Sequence, residues 1–355
     1  MVATMVRRRV PLVLVTVALA GTALWGTFTE ARPPAGWRSA KPSPIARTEV
    51  GAARIGDRVY VVGGYRAPDG TVTGQLQRYD ISDDAWRLLR PLPISINHAG
   101  VTSAGGKLYV NGGFLPNRNP TDRLYRYNPD GNSWKRLPDS PIARGALALQ
   151  AIDGKLYAAG GSNGPNPELR RLYVYDISSR TWRRRADMGV GRNHVASAIL
   201  GDRLYVLGGR PGPIDGNFRV AERYNPKTDR WHRIARLPTA TSGAAAAVAK
   251  RRVVVFGGEK TDGSGQTIGA TQAYDPRTNR WRDFRDMRTP RHGLGGASFR
   301  GRVFAIEGGP QAGLHFSRAN EFFDAPWGKP EPPGPALSPR RRWPGAPSPS
   351  PRAAP

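Results

Sequence analysis

Apolar residues along the chain fall into short runs, and the runs recur. Val59-Tyr60-Val61-Val62 and Leu204-Tyr205-Val206-Leu207 are examples, each closed by a glycine pair. A continuous run of this length, bounded by turn residues, fits a strand buried on both faces. Around each run the pattern predicts three further strands. Near residue 200, His194–Leu200 forms the first strand and Gly201-Asp202-Arg203 the turn. Arg203–Leu207 follows as the second strand, Ala221–Asn225 as the third, and the segment from Arg230 as the fourth. Turn residues punctuate the chain every 8–12 residues or so. The repeat region contains no long amphipathic helical pattern.

The runs keep a period. Glycine pairs stand at 63–64, 112–113, 160–161, 208–209, 257–258 and 308–309, in steps of 49, 48, 48, 49 and 51. Tryptophans at 37, 86, 134, 182, 231 and 281 step by 49, 48, 48, 49 and 50. Tyr79, Tyr127, Tyr175, Tyr224 and Tyr274 each precede a tryptophan by seven residues. The gap between them holds Asp, Asn, Pro and Gly, which supply turn geometry rather than catalytic carboxylates. Periods of this size mark propellers or other repeat architectures.

A glycine pair ending the second strand, then Tyr and Trp seven apart in units of about 50 residues, resembles the kelch repeat. The resemblance spans residues 35–325 and all six units. It implies an all-β, six-bladed kelch β-propeller of four-stranded blades around a channel, with Tyr and Trp packed between blades. The phase of the repeat makes closure noncontiguous. Trp37 has no strands of its own before it, and the last unit has no fourth strand after Asn320–Asp324. Residues 36–40 are therefore expected to pair with residues 319–324, which removes the exposed sheet edges. The last unit also breaks pattern. Arg47, Arg144 and Arg192 stand sixteen residues before Gly63, Gly160 and Gly208, but the same count from Arg291 lands on Glu307. Either one residue is inserted there or Glu307 replaces the first glycine, which would put a carboxylate near the axis.

The flanks read differently from this body. Arg7-Arg8-Arg9 precedes the apolar segment Val10–Phe28, with Ala18-Leu19-Ala20 as a small-x-small cleavage site. Residues 1–29 are thus expected to be a signal peptide or an uncleaved membrane anchor, since 19 residues span roughly 28 Å as a helix. Either reading places the propeller, residues 30–327, outside the cytoplasm, secreted or tethered. Residues 328–355 are Pro- and Arg-rich and read as a disordered tail. There is no cysteine, which excludes disulfides, thiolate metal sites and the cysteine-dependent copper-radical oxidases that use kelch propellers. Formal net charge is +27. With the flanks set aside, 46 basic and 26 acidic side chains remain, a net +20 carried mainly by arginine.

The resemblance implies a binding face built from the loops before the first strands and after the second strands. Arg47, Arg144, Arg192 and Arg291 recur at the start of the first strand, with His98, His194 and His292 beside them. These seven are the expected ligand-binding residues, with the arginines ringing one channel mouth and holding an anion through guanidinium forks. The plainer reading is that each arginine serves loop carbonyls or a neighbouring blade. Glu307, Glu259, Glu49 and His194 are candidate acids or bases by position alone. Gly160-Ser162-Gly164 matches G-x-S-x-G, but in a blade turn rather than a nucleophile elbow. The histidines have no metal-ligand spacing along the chain, so no metal and no cofactor are expected.

The first functional expectation is a non-enzymatic binding scaffold of the cell envelope. Its partner would be an acidic glycan, envelope polymer or acidic protein segment, with membrane contact through residues 10–28 and a monomeric state. The alternative is an acidic-sugar mutarotase or epimerase, similar to the exported kelch-type sialic acid mutarotases. There an Arg would hold the carboxylate while a Glu or His moves a proton. Nucleic-acid binding, prompted by charge alone, ranks last because the sequence reads as exported and lacks a basic–aromatic motif.

Overall fold

A computed structural model describes residues 36–164, 168–212 and 216–324. The apolar segment near the N-terminus and the tail from Gly328 lie outside them. No helix among the described residues is long and apolar enough to cross a membrane.

The second strands form where the apolar runs predict them: Arg58–Val62, Lys107–Asn111, Lys155–Ala159, Arg203–Leu207, Arg252–Phe256 and Arg302–Ile306. In each, the last four residues are buried. Each second strand lies between a first and a third strand, and a fourth strand completes an antiparallel sheet. Six four-stranded sheets result among the described residues, plus a small three-stranded one, Arg47–Thr48, Tyr65–Arg66 and Thr71–Val72, formed by the first blade's loops. The six first strands are Gly51–Ile55, Gly100–Ala104, Ala148–Ile152, Ala196–Leu200, Ala245–Ala249 and Gly295–Phe299. They lie side by side in chain order, and the sixth contacts the first.

The sixth sheet takes its outer strand from the other end of the repeat. Gly36–Ser39 pairs antiparallel with Glu321–Asp324, and Trp37 stands opposite Phe323. The other blades pair Tyr with Trp at the same register: Tyr79–Trp86, Tyr127–Trp134, Tyr175–Trp182, Tyr224–Trp231 and Tyr274–Trp281. Seven residues is the separation that a tight turn needs to bring these two positions face to face.

The same turns join neighbouring blades. The indole N–H groups of Trp86, Trp134, Trp231 and Trp281 donate to the carbonyls of Lys41, Arg90, Ala186 and Ala235. The amides of those four residues donate to Asp84, Asn132, Asp229 and Asn279 in the turns. Each turn carboxylate or amide also accepts the hydroxyl of its own blade's tyrosine. In the third blade Trp182 donates to Pro138, which has no amide N–H, and the turn position holds Arg180 instead of an acceptor. The turn residues therefore act as clamps between blades.

Candidate functional site

The recurring arginines are not free. Arg47, Arg144, Arg192 and Arg291 are all 0% exposed. Arg144 donates to the carbonyls of Gly160, Arg171 and Ala158 at 2.8–3.0 Å. Arg192 donates to Val190 O, Val206 O and Glu222. Arg291 donates to the carbonyls of Glu307, Thr289 and Ala305 and pairs with Glu321 at 3.1 Å. Arg47 donates to Gly63 O and Gln75 O, and Glu307 takes two of its nitrogens. The sixteen-residue spacing is this contact itself: residue 47 reaches the carbonyl of 63, 144 that of 160, and 291 that of 307. In the fifth blade Thr241 makes the same bond to Gly257 O. These guanidinium groups hold strand ends, and the expectation that they line a mouth as anion donors is corrected. Burial pushes the Arg144 side chain down to about 10, still cationic at neutral pH.

Glu307 replaces the first glycine of its pair. Its φ is 57°, against 61–76° for the five glycines at the equivalent positions. Its carboxylate is buried and accepts from Ser43 Oγ at 2.6 Å, Arg47 Nε at 2.8 Å and Gln77 Nε2 at 3.1 Å. It is a structural counter-ion, not an accessible acid.

Two residues beyond each arginine position the backbone turns left-handed. Glu49, His98, Ala146, His194, Gly243 and Gly293 have φ between 51° and 64°. Their backbones form a ring. The amides of His98, Ala146, His194, Gly243 and Gly293 each donate to the carbonyl of the preceding member, at 2.8–3.1 Å. Val50 N–H donates to Gly293 O at 3.1 Å, which returns the ring to its start. A second set of bonds runs outside it, from the second glycine of each pair to the next blade, ending with Gly308 N–H to Arg47 O at 2.9 Å. The ring sits where the first strands begin. Beyond it, the middles of those strands line an axial cavity of about 230 Å³, with small residues such as Ala52, Ser197, Ala246 and Gly296.

Side chains on this ring and next to it converge. Glu49 Oε2 lies 3.0 Å from His98 Nε2, and Glu49 Oε1 lies 3.1 Å from His292 Nδ1. His292 Nδ1 is also 3.5 Å from Glu259. Glu259 pairs with Arg210, whose other terminal nitrogen is 3.1 Å from His194 Nε2. The His98 and His194 rings stand edge to face at 4.8 Å. Tyr65 and Phe114 pack on His98 at 6.2 and 5.7 Å. Gly293 is needed beneath: a Cβ there would stand 2.6 Å from Glu49 Cδ.

Charge is divided within the cluster. Burial alone would raise Glu49, but the facing imidazoles of His98 and His292 outweigh it and hold the carboxylate well below its usual range. Burial, with the charges of Arg210 and His98, holds His194 well below the usual imidazole value, so it is neutral near pH 7. Burial would lower His292, but Glu49 and Glu259 raise it above that value. Anionic, neutral and cationic groups thus stand within contact distance, an arrangement able to bind a polar ligand or to move a proton.

The structure brings His98, His194, His292 and Glu259 together, with Glu49 in contact with His98 and His292. Arg210, Tyr65 and Phe114 were not singled out in the sequence. Each directly follows a glycine pair, as do Ser162 and Glu259, and Gly309 follows the Glu307-Gly308 that takes the place of the sixth pair. The signal was positional, because this residue differs in every blade while its neighbours repeat.

Comparison with known proteins agrees with the architecture. The family model described as the KLHDC2/KLHL20/DRC7 Kelch-repeats domain matches residues 49–237, and the Kelch motif model matches residues 240–288. No curated protein sequence matches the chain. A solved structure titled "Structure of YjhT" superposes with a TM-score of 0.69 at 17% identity, covering 79% of this chain and 95% of that one. At that identity the likeness speaks for the fold alone.

Proposed function

The chain belongs to the kelch-repeat family, and on that premise we propose that it is an extracytoplasmic binding propeller whose ligand is acidic and enters at the mouth formed by Glu49, His98, His194, Arg210, Glu259 and His292. The observation that carries this reading is positional. The left-handed ring accepts Ala146, Gly243 and Gly293 in three blades, yet holds Glu49, His98 and His194 in the other three. A non-glycine residue in this region is disfavoured by roughly 1–2 kcal/mol, and strain of this kind clusters at functional sites. Ionisable side chains at positions that Ala or Gly can fill are unnecessary for the repeat. An acidic ligand is favoured because the body carries a net +20 and Arg210 places a guanidinium at the mouth. Export rests on the arginine cluster ahead of Val10–Phe28.

The test is a binding screen of the protein against acidic sugars, acidic glycans and envelope polymers. Arg210→Ala is expected to weaken the ligand found by roughly tenfold or more, about 1.4 kcal/mol, without loss of the folded state by circular dichroism. Equal binding by the variant would refute the assignment of this mouth. A second reading, an acidic-sugar mutarotase, is favoured by one arrangement: Glu259 contacts both Arg210 and His292, so a carboxylate and an imidazole adjoin a guanidinium. NMR of anomer exchange in an anionic sugar decides it, and exchange no faster than in buffer excludes it.

A further inference from the structure

We infer that the same mouth is a binding site for one divalent transition-metal ion, with the imidazoles of His98 and His194 and the carboxylate of Glu49 as its protein ligands. The ligand atoms of these three residues lie within 4.8 Å of one another. They come from three blades, the first, second and fourth, and no local sequence motif links them. The closed backbone ring fixes their origins.

The orientation of the two histidines is the independent observation. His98 Nδ1 lies 2.6 Å from Asn97 Oδ1, and His194 Nδ1 lies 2.5 Å from Asn193 Oδ1. The Asn97 amide is itself fixed, because its Nδ2 donates to Phe114 O at 3.1 Å. Each imidazole therefore donates Nδ1–H to the amide oxygen of the residue before it, which leaves His98 Nε2 facing Glu49 at 3.0 Å and His194 Nε2 facing Arg210 at 3.1 Å. A carbonyl oxygen that fixes the far nitrogen of a histidine is the usual outer support of a metal ligand. Two blades build it in the same way, from an Asn-His dipeptide at the same repeat position.

The donor set selects the ion. Two nitrogens and one carboxylate suit zinc, ferrous iron, cobalt or manganese, whereas calcium and magnesium need oxygen cages. Bonds of about 2.0–2.2 Å would draw the three ligand atoms to roughly 3–3.5 Å of one another, so the ring of ligands contracts on loading. The Arg210 contact with His194 Nε2 must open. Arg210 keeps Glu259, its ion-pair partner. Three protein ligands leave coordination positions for water or for an acidic ligand. The inference deepens the proposed function by naming what would grip the acid, but metal binding requires no ligand, so the two readings fail separately.

The test uses the full chain, treated with a chelator and then titrated with cobalt(II) and zinc(II). One equivalent is expected to bind, read by the visible cobalt spectrum and by calorimetry, and to raise the melting temperature. His98→Ala and Glu49→Gln should abolish the stoichiometric site. Asn97→Ala should leave it weakened by roughly 10–100-fold, and this graded effect distinguishes a support from a ligand. The exposed His232 and His315 serve as controls, and His232→Ala with His315→Ala should bind as the native chain does. Where His98→Ala fails to fold, His194→Gln replaces it. Absence of a stoichiometric equivalent in the native chain, or equal binding in all ligand variants, overturns the inference.

Discussion

Glu307 adopts φ 57° where five other blades place glycine, and its carboxylate is the counter-ion of the fully buried Arg47. Removing one partner strands the other charge. Arg47→Ile or Glu307→Gly alone should each destabilise the protein by about 3–5 kcal/mol in denaturant unfolding. The double variant should recover most of that loss. It copies a junction the protein already uses, where Ile96 O meets Gly63 and Gly64 between the first and second blades. Recovery will be incomplete, because Gly63 O loses the Arg47 donor and Gln75 O keeps only the Gly63 N–H; in the second blade Asn111 adds a donor to the matching carbonyl of Arg123. Additive losses in the double variant would mean that the two residues are not a coupled pair. This pair also marks what was legible. The sixteen-residue spacing was plain in the sequence, and so was the break at Glu307. What the spacing could not reveal is that an arginine one strand-width from a channel folds back onto the carbonyls of its own blade. Side-chain direction there depends on unpaired carbonyls at the strand end, and these exist only once the sheet is built. The histidines were legible for the opposite reason: His98 and His194 share a repeat position, so one symmetry places both. Arg210 was hidden because its position never repeats a residue type.

The closing strand Gly36–Ser39 is the element on which the sixth blade depends. Trp37 is 5% exposed, lies 5.4 Å from both Phe323 and Phe256, and donates its indole N–H to Thr271 Oγ1 at 2.8 Å. The other five tryptophans donate to backbone carbonyls of the preceding blade. Trp37 is therefore bound to the fifth blade by a side chain and to the sixth by strand pairing. Trp37→Ala should cost roughly 3–5 kcal/mol from lost burial and the cavity left behind. Because the strand joins the two ends of the repeat, the loss should appear as one cooperative shift in thermal unfolding. An unchanged melting temperature, or a separate early transition confined to a small signal, would count against closure by this strand. The pairing was readable from the phase of the repeat alone. A fourth strand missing at one end and an orphan tryptophan at the other admit one register. The clamps between blades were less readable, since a turn carboxylate looks the same whether or not a neighbouring blade donates to it. The third blade supplies the check. Arg180 departs from the Asp or Asn pattern at the turn whose neighbour is Pro138, the residue with no N–H to offer.

At the scale of the molecule, the question is what a net charge of +27 does once the recurring arginines are buried. Part of it sits on the outer strands. Arg87, Arg136, Arg183, Arg184 and Arg233 are exposed on fourth strands, away from the mouth. Charges at such distances act through the long-range field and not through contact. In about 0.15 M salt the screening length is about 8 Å, so that field should matter for approach and little for the docked state. The contacts at the mouth are buried and weakly screened: Arg210 and Glu259 are near 10% exposed. The two contributions separate kinetically. For the acidic ligand found by the binding screen, the association rate should fall by roughly tenfold or more as salt rises from about 0.01 to 0.3 M, while dissociation changes little. Neutralising two outer-strand arginines, Arg184→Gln with Arg233→Gln, should reduce the salt slope of association and leave dissociation alone. Arg210→Ala should do the reverse, speeding dissociation with the slope intact. If salt acted mainly on dissociation, the ligand would be held by exposed arginines outside the mouth, and the cluster around Glu49 would lose its assigned role.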